Sequence, residues 1–146
     1  MTETKVIGNT AEMACMLECI RVGIQVSLPF GENSRYDFIA DFHNKLYRIQ
    51  VKHCLEIIDN DNNVVAIKFK TVRQSGNNAN HWSRKKYKKD EIDYFATEYK
   101  GKCYLIPVDQ CLGCEKRLRI LPTKNKQIAK VSFLKDFELN EMLKYL

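Results

Sequence analysis

Four side chains in the first half of this chain are of types that could together hydrolyse a phosphodiester. They are Glu12, Asp37, Gln50 and Lys52. The last three fall in the stretch RYDFIADFHNKLYRIQVKHC, residues 35–54, which alternates apolar and polar residues on either side of His43-Asn44. A two-residue turn at His43-Asn44 opposes Phe42 to Lys45 and hence Asp37 to Gln50, with Cβ atoms about 5 Å apart. Lys52 lies two residues further along and so shares the face of Gln50. The opposite face carries Tyr36, Phe38, Ala40, Phe42, Tyr47, Ile49 and Val51 and belongs in a core. Two carboxylates with an amide oxygen suit a hard cation such as Mg2+, and the Val51 carbonyl offers a further ligand. An ion so held polarises a phosphate and acidifies a bound water, while Lys52 orients that water or neutralises developing charge. The competing reading is an ordinary wet face on an amphipathic hairpin.

The carboxylate of Glu12 must come from a helix. Residues 9–22 have helical spacing, with Asn9 or Thr10 as cap and Gly23 as terminator. Met13, Met16, Leu17 and Ile20 make the expected apolar stripe, and Glu12 falls about 60° from its centre. Glu12 is also placed to complete a capping box with Asn9.

Further along, strands are expected at 24–28, 55–58 and 64–72, with the polar turn DNDNN between the last two. That turn lacks the Gly and Glu of a calcium loop. The tract 73–89 has no apolar period and reads as a long loop. DEIDYFATEY, residues 90–99, reads as a short amphipathic helix, KCYLIPV and RLRIL as strands, and VSFLKDFELNEMLKYL as containing a terminal helix. This order predicts a single α/β domain over residues 1–146, with a mixed central sheet flanked by helices.

Charge is segregated. The chain has 24 Lys and Arg against 18 Asp and Glu, yet 64–89 holds eight of the cations (Lys68, Lys70, Arg73, Arg84, Lys85, Lys86, Lys88, Lys89) and no acid. The remainder is therefore 16 basic against 18 acidic, and all the excess positive charge sits in one segment, as a polyanion partner requires. Arg73, Arg84, Lys85, Lys86, Lys88 and Lys89 are expected to contact DNA phosphates, with His81 and Trp82 able to reach further. No apolar run is long enough for a membrane span. No secretory signal opens the chain, so a cytoplasmic protein with reduced thiols is expected. Cys15 and Cys19 read as small core residues. The pair Cys111 and Cys114 in CLGC is a candidate for structural zinc, but two more ligands would be needed and no second C-x2-C exists, so free thiols are the favoured reading.

The series AE at 11–12, P-x-G at 29–31, RYDF at 35–38, RIQVK at 48–52, DEIDYFA at 90–96 and YLIPV at 104–108 resembles the PD-(D/E)XK nucleases in their Q-x-K variant. Within them it is similar to the group I intron-encoded homing endonucleases and their small bacterial and phage-type relatives. The resemblance spans roughly residues 8–140 and implies a restriction-endonuclease-like core. It implies Glu12, Asp37, Gln50 and Lys52 as the catalytic set, and Mg2+ (or Mn2+) dependent cleavage of double-stranded DNA by a homodimer or homotetramer. A Holliday junction resolvase or restriction-type nuclease on the same fold is the nearer alternative. A non-cleaving DNA-binding module, its site degenerate at Gln50, is the more distant one. CLGC and the Gln in place of the usual acid depart from the family pattern.

Overall fold

The computed structural model describes residues 1–75 and 83–146. The hairpin is built on the expected register. Strands β2 (Phe38–Phe42) and β3 (Lys45–Val51) pair antiparallel with Phe38 opposite Ile49 and Phe42 opposite Lys45. His43 and Asn44 have φ of 51° and 63°, the two positive values of a type I′ turn, whose twist matches that of the strands. Phe38, Ala40, Ile49 and Val51 are buried, as the alternation requires.

A short strand β1 (Gln25–Ser27) joins the outer side of β2, and β8 (Tyr94–Tyr99) and β9 (Lys102–Pro107) complete a five-stranded sheet in the order β1-β2-β3-β8-β9. β3 and β8 are parallel and every other pair is antiparallel, so the central sheet is mixed. The segment 90–99 is therefore not the helix expected from its amphipathic pattern. Phe95, Ala96 and Thr97 are buried in succession, which is the mark of a central strand covered on both faces and is easily mistaken for a helix face in a short run.

The helix α1 (Glu3–Arg21) packs on β8 and β9. It starts six residues earlier than expected, and its buried face is not the Met13–Leu17–Ile20 stripe. Ala11, Cys15 and Cys19 face the sheet, while Met13 and Ile20 are 65% and 59% exposed. Small side chains allow the helix backbone to approach the sheet, so bulk alone does not select the inner face. Contact with Cys103 of β9 and burial push the Cys19 thiol up, leaving inert core thiols as expected.

A second, three-stranded antiparallel sheet has the order β10-β5-β4, from β4 (Leu55–Ile58), β5 (Val64–Lys70) and β10 (Glu115–Arg119). Asn62 takes a φ of 66° in the turn between β4 and β5. Ile67, Phe69 and Leu118 seal its inner face. The tract 73–89 is not wholly a loop. β6 (Val72–Ser75) and β7 (Ser83–Lys86) pair antiparallel, with Arg73 opposite Lys85.

CLGC straps this ribbon. The buried Thr71 donates its hydroxyl to the Gly113 carbonyl at 2.6 Å and its N–H to that of Cys114, and Lys86 Nζ donates to the Leu112 carbonyl. Among the described residues no third metal-ligating side chain joins Cys111 and Cys114. The C-terminal segment is broken rather than one helix. A 3-10 turn Leu134–Phe137 leads into the four-residue α2 (Leu139–Met142) and a further 3-10 turn Leu143–Tyr145. Among the described residues no helix is long and apolar enough to cross a membrane.

Phe38 is fully buried and directly follows Asp37. Phe38→Ala should cost about 3–5 kcal/mol of stability by cavity formation, read as a lowered urea midpoint.

Candidate active site

Asp37 stands at the mouth of β2, where its N–H donates to the Ile49 carbonyl at 2.8 Å. Its carboxylate turns across to β3, and a single oxygen accepts the Val51 N–H at 2.7 Å and the Gln50 Nε2–H at 2.8 Å. The same Gln50 amide donates to the Val51 carbonyl at 3.3 Å. The amide nitrogen thus lies among oxygens, the position a cation would favour, and a half-turn of the amide offers its oxygen in the same place.

Glu12 reaches this cluster because it sits one heptad before Cys19 on the buried side of α1, not because of the Met13–Ile20 stripe. It lines a cleft of about 280 Å³ with Gly31, Glu32, Ser34 and Asp37. Burial and the Asp37 charge raise the Glu12 pKa, so the two carboxylates act on each other. Burial also raises Asp37, against the opposing pull of the Val51 N–H and of Lys52.

Lys52 follows the last residue of β3, and its N–H bonds to the Ala96 carbonyl of β8 at 2.8 Å. Its ammonium donates to the Tyr87 hydroxyl at 3.2 Å and lies 5.0 Å from that ring's centre. Burial lowers the Lys52 pKa; Asp37 opposes this, while Arg35 and Arg73 add to it. Tyr87 packs edge-on against Phe95 on one side, and the Arg35 guanidinium lies 4.5 Å from its centroid. Arg35 is held in turn by a hydrogen-bonded ion pair with Glu91. Tyr87, Arg35 and Glu32 were not singled out as site residues from sequence. The Tyr inside a cationic run, Tyr87 between Lys86 and Lys88, is the one signal that marked any of them.

The structure brings Glu12, Asp37, Gln50, the Val51 carbonyl and Lys52 together. Of the basic tract, Arg73, Lys85, Lys86, Lys88 and Lys89 are exposed, and Lys89 pairs with Asp109 at 3.2 Å. Arg84 falls in β7, and His81 and Trp82 lie outside the described residues. Asp93 has a structural task. It accepts the Arg48 N–H at 2.7 Å and its Nε–H at 3.1 Å, and these bonds lower its pKa despite burial.

A donor set of two carboxylates, an amide and a carbonyl fits a hard divalent ion that keeps several of its waters. Among the described residues no cluster of three His, Cys, Asp or Glu side chains could hold a metal, so the amide and the carbonyl are needed to complete it.

A family model described as PD-(D/E)XK endonuclease matches residues 2–140. The chain belongs to the PD-(D/E)XK endonuclease family. Nucleases of this family generally use divalent metals. Among solved structures, the chain is similar to a bacterial homing endonuclease, I-Ssp6803I, with a TM-score of 0.75 and 21% identity over 99% of this chain and 95% of that one. At that identity the likeness establishes the shared fold. No curated protein matches the chain.

The raised carboxylates have a consequence for the metal-free protein. A folded-state pKa above the unfolded one stabilises the fold at acid pH and loses that contribution as pH rises through the folded value. Asp37→Asn should therefore be more stable than the parent near pH 7 without divalent ions. The difference should shrink as pH falls through the raised folded value and be gone below about 4, the ordinary Asp range. Urea midpoints across pH test this, and a parent that is the more stable of the two at neutral pH contradicts it.

Proposed function

We propose that this protein is a metal-dependent, sequence-specific endonuclease of the homing type, hydrolysing phosphodiesters in double-stranded DNA. The observation that carries the reading is the convergence of Glu12 and Asp37 beside a half-buried lysine at the end of β3. Glu12, Asp37, the Gln50 amide oxygen and the Val51 carbonyl would hold Mg2+, with Mn2+ as a substitute. Such an ion, when bound, supplies a Lewis acid for the phosphate and lowers the pKa of water. Lys52 stabilises the negative charge that develops on the phosphate oxygens, in a site where burial strengthens each interaction. Tyr87 and the hydrogen bond from the Lys52 backbone hold that ammonium in place. The cations of 73–89 add affinity for the DNA backbone.

Cutting both strands of a duplex takes two sites, and this chain brings one, which supports a homodimer or homotetramer. The outward row of Met13, Leu17 and Ile20 on α1 is an apolar surface that a second copy would cover. Sedimentation of the protein alone and on duplex DNA should show a dimer or larger. A stable monomer under both conditions would rule the assembly out.

Plasmid nicking with Mg2+ tests the chemistry. Asp37→Ala and Lys52→Ala should each lower cleavage by roughly 100-fold or more while DNA binding survives, the Lys52 loss appearing in kcat. Gln50→Glu adds an acid ligand and should retain cleavage, whereas Gln50→Ala should impair it. Parental nicking by all of these together with Glu12→Ala would reduce the hairpin to a solvated face. A protein that binds duplex but never nicks would be the non-cleaving module, and one that prefers four-way junctions a resolvase.

A further inference from the structure

A groove of about 530 Å³ opens beside Lys52 and shares no lining residue with Glu12's cleft. Lys52, His53 and Leu55 line it, together with Lys68 and Lys70 of β5 and Glu115 of β10. Strand periodicity puts Lys68 and Lys70 on the outer face of the three-stranded sheet, opposite in side-chain direction to Ile67 and Phe69. The register sets Arg117 of β10 beside Lys68 and Arg119 beside Ala66 of β5. That face therefore carries Lys68, Lys70, Arg117 and Arg119 against one carboxylate, Glu115, which is paired with Arg117 at 3.0 Å. None of the salt bridges among the described residues engages Lys68 or Lys70.

We propose that this groove and the adjoining basic face of the β10-β5-β4 sheet form a second DNA contact, distinct from the 73–89 tract, that grips the sugar–phosphate backbone flanking the phosphate at Lys52. The proposal rests on the placement of the reacting phosphate at Lys52 in the reading above. A strand with one phosphate there must run its neighbours out along a wall of the site, and this wall is cationic. Alternate residues of a strand stand about 6.7 Å apart, comparable with the spacing of successive phosphates, so Lys68 and Lys70 can each take one. The exposed Leu55, opposite Lys68 in the register, gives this wall an apolar patch that suits deoxyribose next to the phosphates. Glu115, opposite Lys70 in the register, is the one group of the face that repels the strand and limits the contact there.

The contact is tested by anisotropy titration of unrelated duplex sequences over a range of salt, without divalent ions. Lys68→Ala/Lys70→Ala should weaken binding to all sequences alike, on the order of tenfold. It should reduce the slope of log K against log salt by about 1.8, two phosphate contacts at 0.9 each. Glu115→Gln should tighten binding, a change of opposite sign that no loss of folding can mimic. Lys135→Ala/Lys144→Ala, with the same change of charge on the C-terminal segment, should leave the slope unchanged. Combined with Lys85, Lys86, Lys88 and Lys89 to Ala, the loss from β5 should add, as separate footprints do. Parental affinity and slope in the β5 double variant, with no gain from Glu115→Gln, overturn the proposal. Because the readout is binding without cleavage, failure of the catalytic assignment leaves the test intact.

Discussion

The parallel pairing of β3 with β8 is the constraint on which the rest of the molecule depends. Ile49, Gln50 and Val51 lie beside Tyr94, Phe95 and Ala96, joining a local hairpin to a strand more than forty residues away in sequence. A parallel pair cannot be closed by a tight turn, so residues 52–93 must leave the sheet and return. The second sheet and the β6–β7 ribbon are built into that excursion. The return is clamped by Arg48, which holds the Asp93 carboxylate and the carbonyls of Lys89 and Asp90. The crossover thus delivers Tyr87 to Lys52 and the β5 lysines to the edge of the same site.

Burial is what sets the charges at this junction apart from those of the surface. Desolvation pushes Glu12 and Asp37 up and Lys52 down, so each group is held in a charge state that is costlier than in water. The fold tolerates the cost because the Asp37 carboxylate is also a structural acceptor, tying the start of β2 to the end of β3. The same side chain serves the hairpin and the site, and neutralising it favours the first at the expense of the second.

Positive charge flanks the site on two surfaces of different construction. The β6–β7 ribbon is a two-stranded extension, whereas Lys68 and Lys70 stand on a sheet whose other face is sealed by Ile67, Phe69 and Leu118. The ribbon is anchored at its base by Thr71 and the CLGC turn, through the carbonyls of Leu112, Gly113 and Cys114.

Much of this was legible in the residues themselves. Period-two alternation around His43-Asn44 specified the hairpin and its register, and therefore the opposition of Asp37 to Gln50, because both depend on local geometry alone. The segregation of cations into 64–89 was equally plain. The inner face of α1 was not, since Ala11, Cys15 and Cys19 are chosen by how closely the helix can approach β8 and β9, a property of the pair rather than of the helix. Nor was β8, whose run of Phe95, Ala96 and Thr97 is compatible with helix until layers on both sides are in place. The partnership of Tyr87 with Lys52, and the groove shared by Lys52 with Lys68 and Lys70, join residues far apart in the chain. Contacts of that kind arise only when the crossover closes, and no local pattern encodes where it will return.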